Sequence, residues 1–148
     1  MIAPVTVEEI ETLGTELGDS FYSECHLPGG FKKEVFIHNW NLLLKGNIGA
    51  MWRLVLDNSS VGFLGAILMP DVNNGDLVAT EMFWYVSPSY RKSMWGIRLL
   101  TTFEKWAKEI GAKRVVMAHL TNPEGEVLGK FYTRKGYTLT ESHYVKEL

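Results

Sequence analysis

A short cationic segment between a hydrophobic strand and a helix is the part of this sequence best suited to bind an anion. The strand ends at Val86, a proline turn follows, and Arg91 and Lys92 precede Gly96, which opens an amphipathic helix. The start of such a helix presents unpaired backbone N–H groups and the positive end of the helix dipole. Together with two cationic side chains, these groups predict an anion site and favour pyrophosphate as its occupant.

Composition limits the partners that such a site is expected to serve. The 148 residues are 46% hydrophobic and predict one folded domain over residues 1–148. A formal net charge of -2 gives no electrostatic argument for nucleic acid as a partner. No apolar stretch approaches the ~20 residues that cross a bilayer, and no signal-peptide pattern is present, so no membrane partner is expected. The lone Cys25 excludes an intramolecular disulfide framework and is consistent with a cytoplasmic protein.

Hydrophobic periodicity predicts the elements that position the anion site. Predicted helices cover Thr6–Leu17, Phe31–Leu44, Trp95–Ile110 and Glu126–Lys135. Predicted strands cover Ala50–Leu56, Val61–Met69, Leu77–Val86, Arg114–Leu120 and Tyr137–Val145. The first three strands are joined by polar turns and are typical of an antiparallel meander, whereas the fourth follows a helix and is expected to pair in parallel. The fold class is therefore α+β.

Two motifs resemble the GNAT superfamily of acetyl-coenzyme A-dependent N-acetyltransferases. Val86, Pro88, Tyr90, Arg91, Gly96, Leu99 and Leu100 are in register with the family's acetyl-CoA loop, Val-x-Pro-x-Tyr-Arg-x-x-Gly-x-Gly/Ala followed by paired leucines. The first family glycine is replaced by Met94, whose backbone N–H remains available. The segment Phe131–Tyr137 is similar to the family's Phe-Tyr-x-Lys-x-Gly-Phe signature, with Arg134 at the lysine position.

The resemblance implies a three-layer GNAT-like fold, with a mixed, mostly antiparallel central sheet flanked by helices on both faces. It also implies transfer of an acetyl group from acetyl-CoA to a primary amine by direct attack on the thioester. The strand Leu77–Val86 would separate from Arg114–Leu120 to admit the pantetheine arm. The implied residues that bind acetyl-CoA are Trp84, Tyr85, Val86, Arg91, Lys92, Ser93, Met94, Trp95, Gly96, Ile97, Asn122 and Tyr132.

The implied acid of the reaction is Tyr132, since the family's tyrosine at this position protonates the departing thiolate. A phenol with a pKa of about 10 is suited to donate a proton to a thiolate at neutral pH. The alternative is a tyrosine that only packs its ring in the core. The sequence does not identify a single general base. Glu81 either acts through a water or faces solvent, and His119 is either a base or a strand-end histidine bonded to backbone.

The acceptor is expected to enter between the loop Glu24–Gly30 and the strand ends near Glu81 and His119. Acidic residues in this region favour a cationic small molecule or protein amine, without identifying it. The four histidines show no metal-ligand spacing, so no metal is expected, and Asp71–Asp76 is interpreted as a polar hairpin turn rather than a calcium loop. The competing hypothesis is a catalytically inactive acyl-CoA-binding or protein-interaction module on the same fold, and a homodimer is compatible with either.

Overall fold

A computed structural model describes residues 1–148. The chain divides into two compact units, Met1–Val116 and Met117–Leu148. The first unit contains the strands β1 (Ile2–Pro4), β2 (Gly49–Leu56), β3 (Ser59–Pro70), β4 (Leu77–Val86) and β5 (Arg114–Val116). Its helices are α1 (Ile10–Asp19), α2 (Phe21–Glu24), α3 (Lys33–Lys45) and α4 (Trp95–Glu109), and α5 (Pro123–Arg134) lies in the second unit. No helix has the length and apolar composition needed to cross a membrane.

The five strands form one sheet in the order β1-β2-β3-β4-β5, antiparallel except for the parallel β4–β5 pair. This arrangement confirms the predicted mixed, mostly antiparallel sheet. β4 pairs with β5 only over Val78–Thr80, opposite residues 114–116, and then continues to Val86. The pairing therefore ends well before the anion-site loop.

Side chains alternate between the two faces of the sheet, so each face packs against different helices of the first unit. On β4, Phe83 and Tyr85 belong to a buried cluster with α1 and α3, which includes Leu17 and Trp40. Residues on the opposite face meet α4, where the ring of Trp52 lies 6.1 Å from that of Phe103. Helices therefore cover both faces of the sheet, as predicted.

The β3–β4 connection is held by an arginine. The guanidinium of Arg114 donates to Asp71 at 2.7 Å and to Asp76 at 2.8 Å. Asp71 also accepts from the backbone N–H of Asn73 at 2.8 Å. A positive side chain thus occupies the space between the two carboxylates, and the segment is the polar hairpin turn that the sequence indicates.

The second unit contains one helix, α5. Two of the predicted strands differ from the structure in this part of the chain. The predicted strand Arg114–Leu120 ends at Val116. The carbonyl of Ala118 instead accepts from the Tyr132 hydroxyl, and that of Leu120 lies 3.0 Å from Nδ1 of His119. The predicted strand Tyr137–Val145 is wrong, because residues 138–145 pair with no other strand and are largely exposed. Apolar alternation is insufficient for a strand when no neighbour supplies the hydrogen bonds.

Candidate active site

The loop that follows β4 is folded by its own hydrogen bonds. Its start is fixed to the sheet, since the N–H of Ser87 donates to the carbonyl of Val61 at 2.8 Å. Farther on, the Ser93 hydroxyl donates to the carbonyl of Tyr90 at 2.5 Å and accepts from the N–H of Trp95 at 3.3 Å. A short 3-10 turn, Pro88–Tyr90, lies between these points. The loop therefore delivers the chain to the start of α4 in a defined conformation.

The first turn of α4 supplies the donors that an anion needs. The first helical bond joins the N–H of Arg98 to the carbonyl of Met94 at 3.0 Å. The N–H groups of Gly96 and Ile97 lie earlier in the turn, where an α-helix offers no acceptor. They point out of the helix N-terminus, at the positive end of the dipole.

Met94 fits this loop without strain, although it replaces a family glycine. Its φ of -72° and ψ of -4° are right-handed helical angles that any residue adopts. Its side chain is 57% exposed and therefore does not fill the helix start. A Cβ added at Gly96 would lie 3.4 Å from the Trp84 ring and 3.6 Å from a Val86 methyl, both ordinary contacts.

The cations of the loop have different surroundings. Lys92 is exposed, and the Arg98 guanidinium lies 4.7 Å from the centre of the Trp95 ring, beside the first turn of α4. The guanidinium of Arg91 instead forms an ion pair with the carboxylate of Glu24. Arg91 Nε also donates to the carbonyl of Val86 at 2.7 Å. Arg91 is therefore held by protein atoms, whereas Lys92 has no ion-pair partner.

The side chain of Tyr85 turns toward α2 rather than toward α4. Its hydroxyl donates to Oε1 of Glu24 at 3.1 Å, and its ring lies 6.1 Å from that of Phe21. Burial raises the pKa of Tyr85, and the negative charge of Glu24 acts in the same direction. Any contact between Tyr85 and acetyl-CoA would therefore be made by its backbone.

The hydroxyl of Tyr22 is a second polar group on α2. Burial raises the pKa of Tyr22 to about 12, with smaller contributions from Cys25 and from the carboxylate of Glu81. The Tyr22 ring stacks on Phe31 with a centroid separation of 4.3 Å and an interplanar angle of 11°. Glu81 is half-buried. The negative charge of Glu81 acts on Tyr22, which lies just before the predicted acceptor loop Glu24–Gly30.

In the second unit, three predicted residues have clear structural contacts. Tyr132 is buried, and its hydroxyl donates to the carbonyl of Ala118 at 2.9 Å. Asn122 caps α5 by accepting from the N–H of Gly125 at 2.7 Å. The His119 ring packs on α5, where its Nε2 would lie 2.9 Å from a Cβ added at Gly129. Nδ1 of His119 lies 3.0 Å from the Leu120 carbonyl oxygen, and because β5 ends at Val116, His119 does not lie at the end of a strand as predicted.

Sequence reasoning placed the acidic residue Glu24 at the start of the predicted acceptor loop, but it did not identify the contacts of Glu24 with Arg91 and Tyr85. Glu24 lies 67 positions before Arg91 and 61 before Tyr85, and it contacts both. It ends a helix of only four residues, too short to show a periodic pattern. No local signal marks such a contact. The available hint was an acidic residue in the segment assigned to the acceptor.

Comparison with known proteins agrees with this architecture. A family model described as the acetyltransferase (GNAT) family matches residues 14–137. No curated protein matches the sequence significantly.

Solved structures of low sequence identity share the fold. An aminoglycoside acetyltransferase from an uncultured soil metagenomic sample is 15% identical, with a TM-score of 0.77 over 100% of this chain and 97% of its own. A ribosomal-protein-alanine N-acetyltransferase from Brucella melitensis is 19% identical, with a TM-score of 0.73 over 100% and 99%. A predicted acetyltransferase with acetyl-CoA, from Clostridium acetobutylicum, is 14% identical, with a TM-score of 0.79 over 99% and 95%. The family match, together with the shared fold and the loop between β4 and α4, establishes that this chain belongs to the GNAT family of acetyltransferases.

Proposed function

We propose that this protein transfers an acetyl group from acetyl-CoA to a primary amine. The observation that carries the proposal is the segment Val86–Ile97, in which a strand end, a folded cationic loop and the unpaired N–H groups of a helix start follow one another. Family membership supports the reaction class. The crystal structure of a predicted acetyltransferase with acetyl-CoA, from Clostridium acetobutylicum, supports the choice of cosubstrate.

The first turn of α4 suits the pyrophosphate of acetyl-CoA. The N–H groups of Gly96 and Ile97 would donate to phosphate oxygens, and the helix dipole would favour their negative charge. Lys92 and Arg98 flank this point and would add positive charge. Met94 contributes its backbone N–H, since its side chain is turned to solvent.

The edge of β4 beyond Thr80 suits the pantetheine arm. This part of β4 pairs with β3 on one side, and its pairing with β5 has already ended. An extended amide-containing arm can add to such an edge as a further strand. Trp84, Tyr85 and Val86 would then make backbone contacts, while the Tyr85 and Val86 side chains remain buried. A backbone N–H on this edge would polarise the thioester carbonyl.

Two side chains are proposed to move protons during the transfer. The amine nitrogen forms a bond to the thioester carbonyl carbon, the carbon–sulfur bond breaks, and the electron pair leaves on sulfur. Tyr132 would give its hydroxyl proton to this thiolate. Glu81 would take the proton lost by the amine, through a water molecule. Asn122 would act indirectly, because its side chain is engaged as the cap of α5.

We infer a cationic amine as the acceptor. Arg91 neutralises Glu24, and the other acidic residues of the predicted acceptor region are Glu81 and Glu34, which is exposed in the first turn of α3. Both small-molecule and protein amines fit this inference. The structural neighbours named above include an aminoglycoside acetyltransferase and a ribosomal-protein-alanine N-acetyltransferase.

Calorimetric titration with acetyl-CoA tests the cosubstrate, with free CoA and ATP as comparisons. Micromolar binding of both CoA species and weak binding of ATP would support recognition of the pantetheine arm. A panel of polyamines, aminoglycosides, amino acids and lysine peptides then tests transfer, by measuring thiol release. Binding of CoA without transfer to any amine would favour the inactive CoA-binding module. Binding of neither CoA species would refute the proposed function.

A further inference from the structure

We propose that Glu24 is a positioning residue that holds the anion-site loop, residues 87–94, in place for acetyl-CoA. It acts through Arg91 and does not touch the ligand. The inference rests on the proposed function, because it names what keeps the pyrophosphate loop in its binding conformation. Neither the loop motif nor the family match assigns a role to Glu24.

The contacts form a closed ring around the start of the loop. One carboxylate oxygen of Glu24 accepts from the Arg91 guanidinium, and the other accepts from the Tyr85 hydroxyl at 3.1 Å. Arg91 Nε returns to the strand end, donating to the carbonyl of Val86 at 2.7 Å. The guanidinium carbon lies 5.5 Å from the centre of the Tyr85 ring. These four contacts therefore join α2, the end of β4 and the loop.

The Glu24 end of this ring has a firm support. α2 begins with Phe21, whose ring lies 6.3 Å from Phe83 and 6.1 Å from Tyr85. Both partners lie in the buried cluster between the sheet and the helices α1 and α3. A carboxylate mounted on this short helix is therefore fixed relative to the core. Arg91 transmits that fixed position to the loop.

The same contacts determine how Arg91 functions. Its charge is balanced by Glu24 and its Nε is occupied by Val86, so Arg91 anchors the loop rather than receiving a phosphate. The ion pair is only partly buried, with both side chains 40% exposed. Ion pairs with such exposure contribute little to the free energy of unfolding. Loss of Glu24 should therefore alter the loop more than the stability of the fold.

Glu24→Gln tests this role, because glutamine retains an acceptor for Tyr85 but removes the ion pair. We expect the dissociation constant for CoA and the KM for acetyl-CoA to rise about tenfold, as for loss of one charge-assisted hydrogen bond. The kcat and the midpoint of thermal unfolding should not change, and the KM for the amine should change less than the KM for acetyl-CoA. Arg91→Met should show the same rise. Glu11→Gln, which removes an equal charge from the exposed face of α1, should leave every value unchanged.

The double variant decides whether the two residues act as one unit. If Glu24 works only through Arg91, then Glu24→Gln combined with Arg91→Met should bind CoA no more weakly than either single variant. Additive losses, an unchanged KM for acetyl-CoA, or equal changes in both KM values would overturn the inference while leaving the proposed function intact. A wild-type protein that neither binds CoA nor transfers acetyl would refute the proposed function, and the inference with it.

Discussion

Replacing Tyr132 by phenylalanine separates a catalytic hydroxyl from a structural one. The hydroxyl donates to the carbonyl of Ala118 at 2.9 Å, and the side chain is only 7% exposed. Loss of this neutral hydrogen bond is expected to lower the free energy of unfolding by about 1 kcal/mol. The ring remains, so its packing 5.5 Å from Tyr137 is preserved and no cavity forms.

The expected kinetic effect of Tyr132→Phe is larger than the structural one. A general acid in a transition state contributes a factor of about 100 or more, equivalent to about 2.7 kcal/mol in the barrier. We therefore expect kcat to fall about 100-fold while the dissociation constant of CoA changes less than about threefold.

Three measurements on the same preparation distinguish the two roles. They are thiol release under saturating acetyl-CoA, calorimetric titration of CoA, and chemical denaturation. A stability loss of about 1 kcal/mol with kcat reduced less than about fivefold would refute the role of Tyr132 as the acid. The hydroxyl would then serve only to hold residues 118–120 on α5. Asn122→Ala serves as a reference for stability alone, since it also removes one hydrogen bond from this unit and is expected to cost a similar free energy.

Three further predictions follow from the packing and titration of single residues. Gly125→Ala should destabilise the protein by about 3 kcal/mol in a denaturation experiment, because the new Cβ would lie 1.6 Å from the carbonyl oxygen of Leu120. Gly96→Ala, which meets only ordinary contacts, should leave stability unchanged or slightly raised, and equal losses at the two positions would contradict the packing described. The pKa of Tyr22, raised to about 12, means that the folded state keeps a proton that the unfolded state loses above pH 10. Stability should therefore fall between pH 10 and 12, by about 1–2 kcal/mol after allowance for partial exposure, and Tyr22→Phe should flatten this decline in melting curves. Arg114→Ala should increase hydrogen exchange in the β3–β4 hairpin with little change in the free energy of unfolding, because its ion pairs are partly exposed, and an unchanged exchange rate would show that the hairpin does not depend on these ion pairs.

The sequence by itself determined the elements whose patterns are local. Alternating apolar residues defined β2, β3 and β4 within a few residues of their observed ends, since each strand has one face on a core. The apolar stripe of α4, with Leu99, Leu100 and Phe103 fully buried, predicted the helix from its 3.6-residue period. The loop between β4 and α4 was identifiable because its proline, cations and glycine are contiguous in the chain.

Other features were decided only by the tertiary structure. The length of β5 and the absence of a strand after Tyr137 depend on which backbone groups find partners, and hydrophobic alternation does not supply that information. The anchoring of Arg91 by Glu24 joins residues 67 positions apart, and no sequence pattern near either residue indicates the other. Periodicity reports which face of an element is buried. Only the packed fold determines which polar side chains meet at that face, because such contacts depend on where distant elements cross.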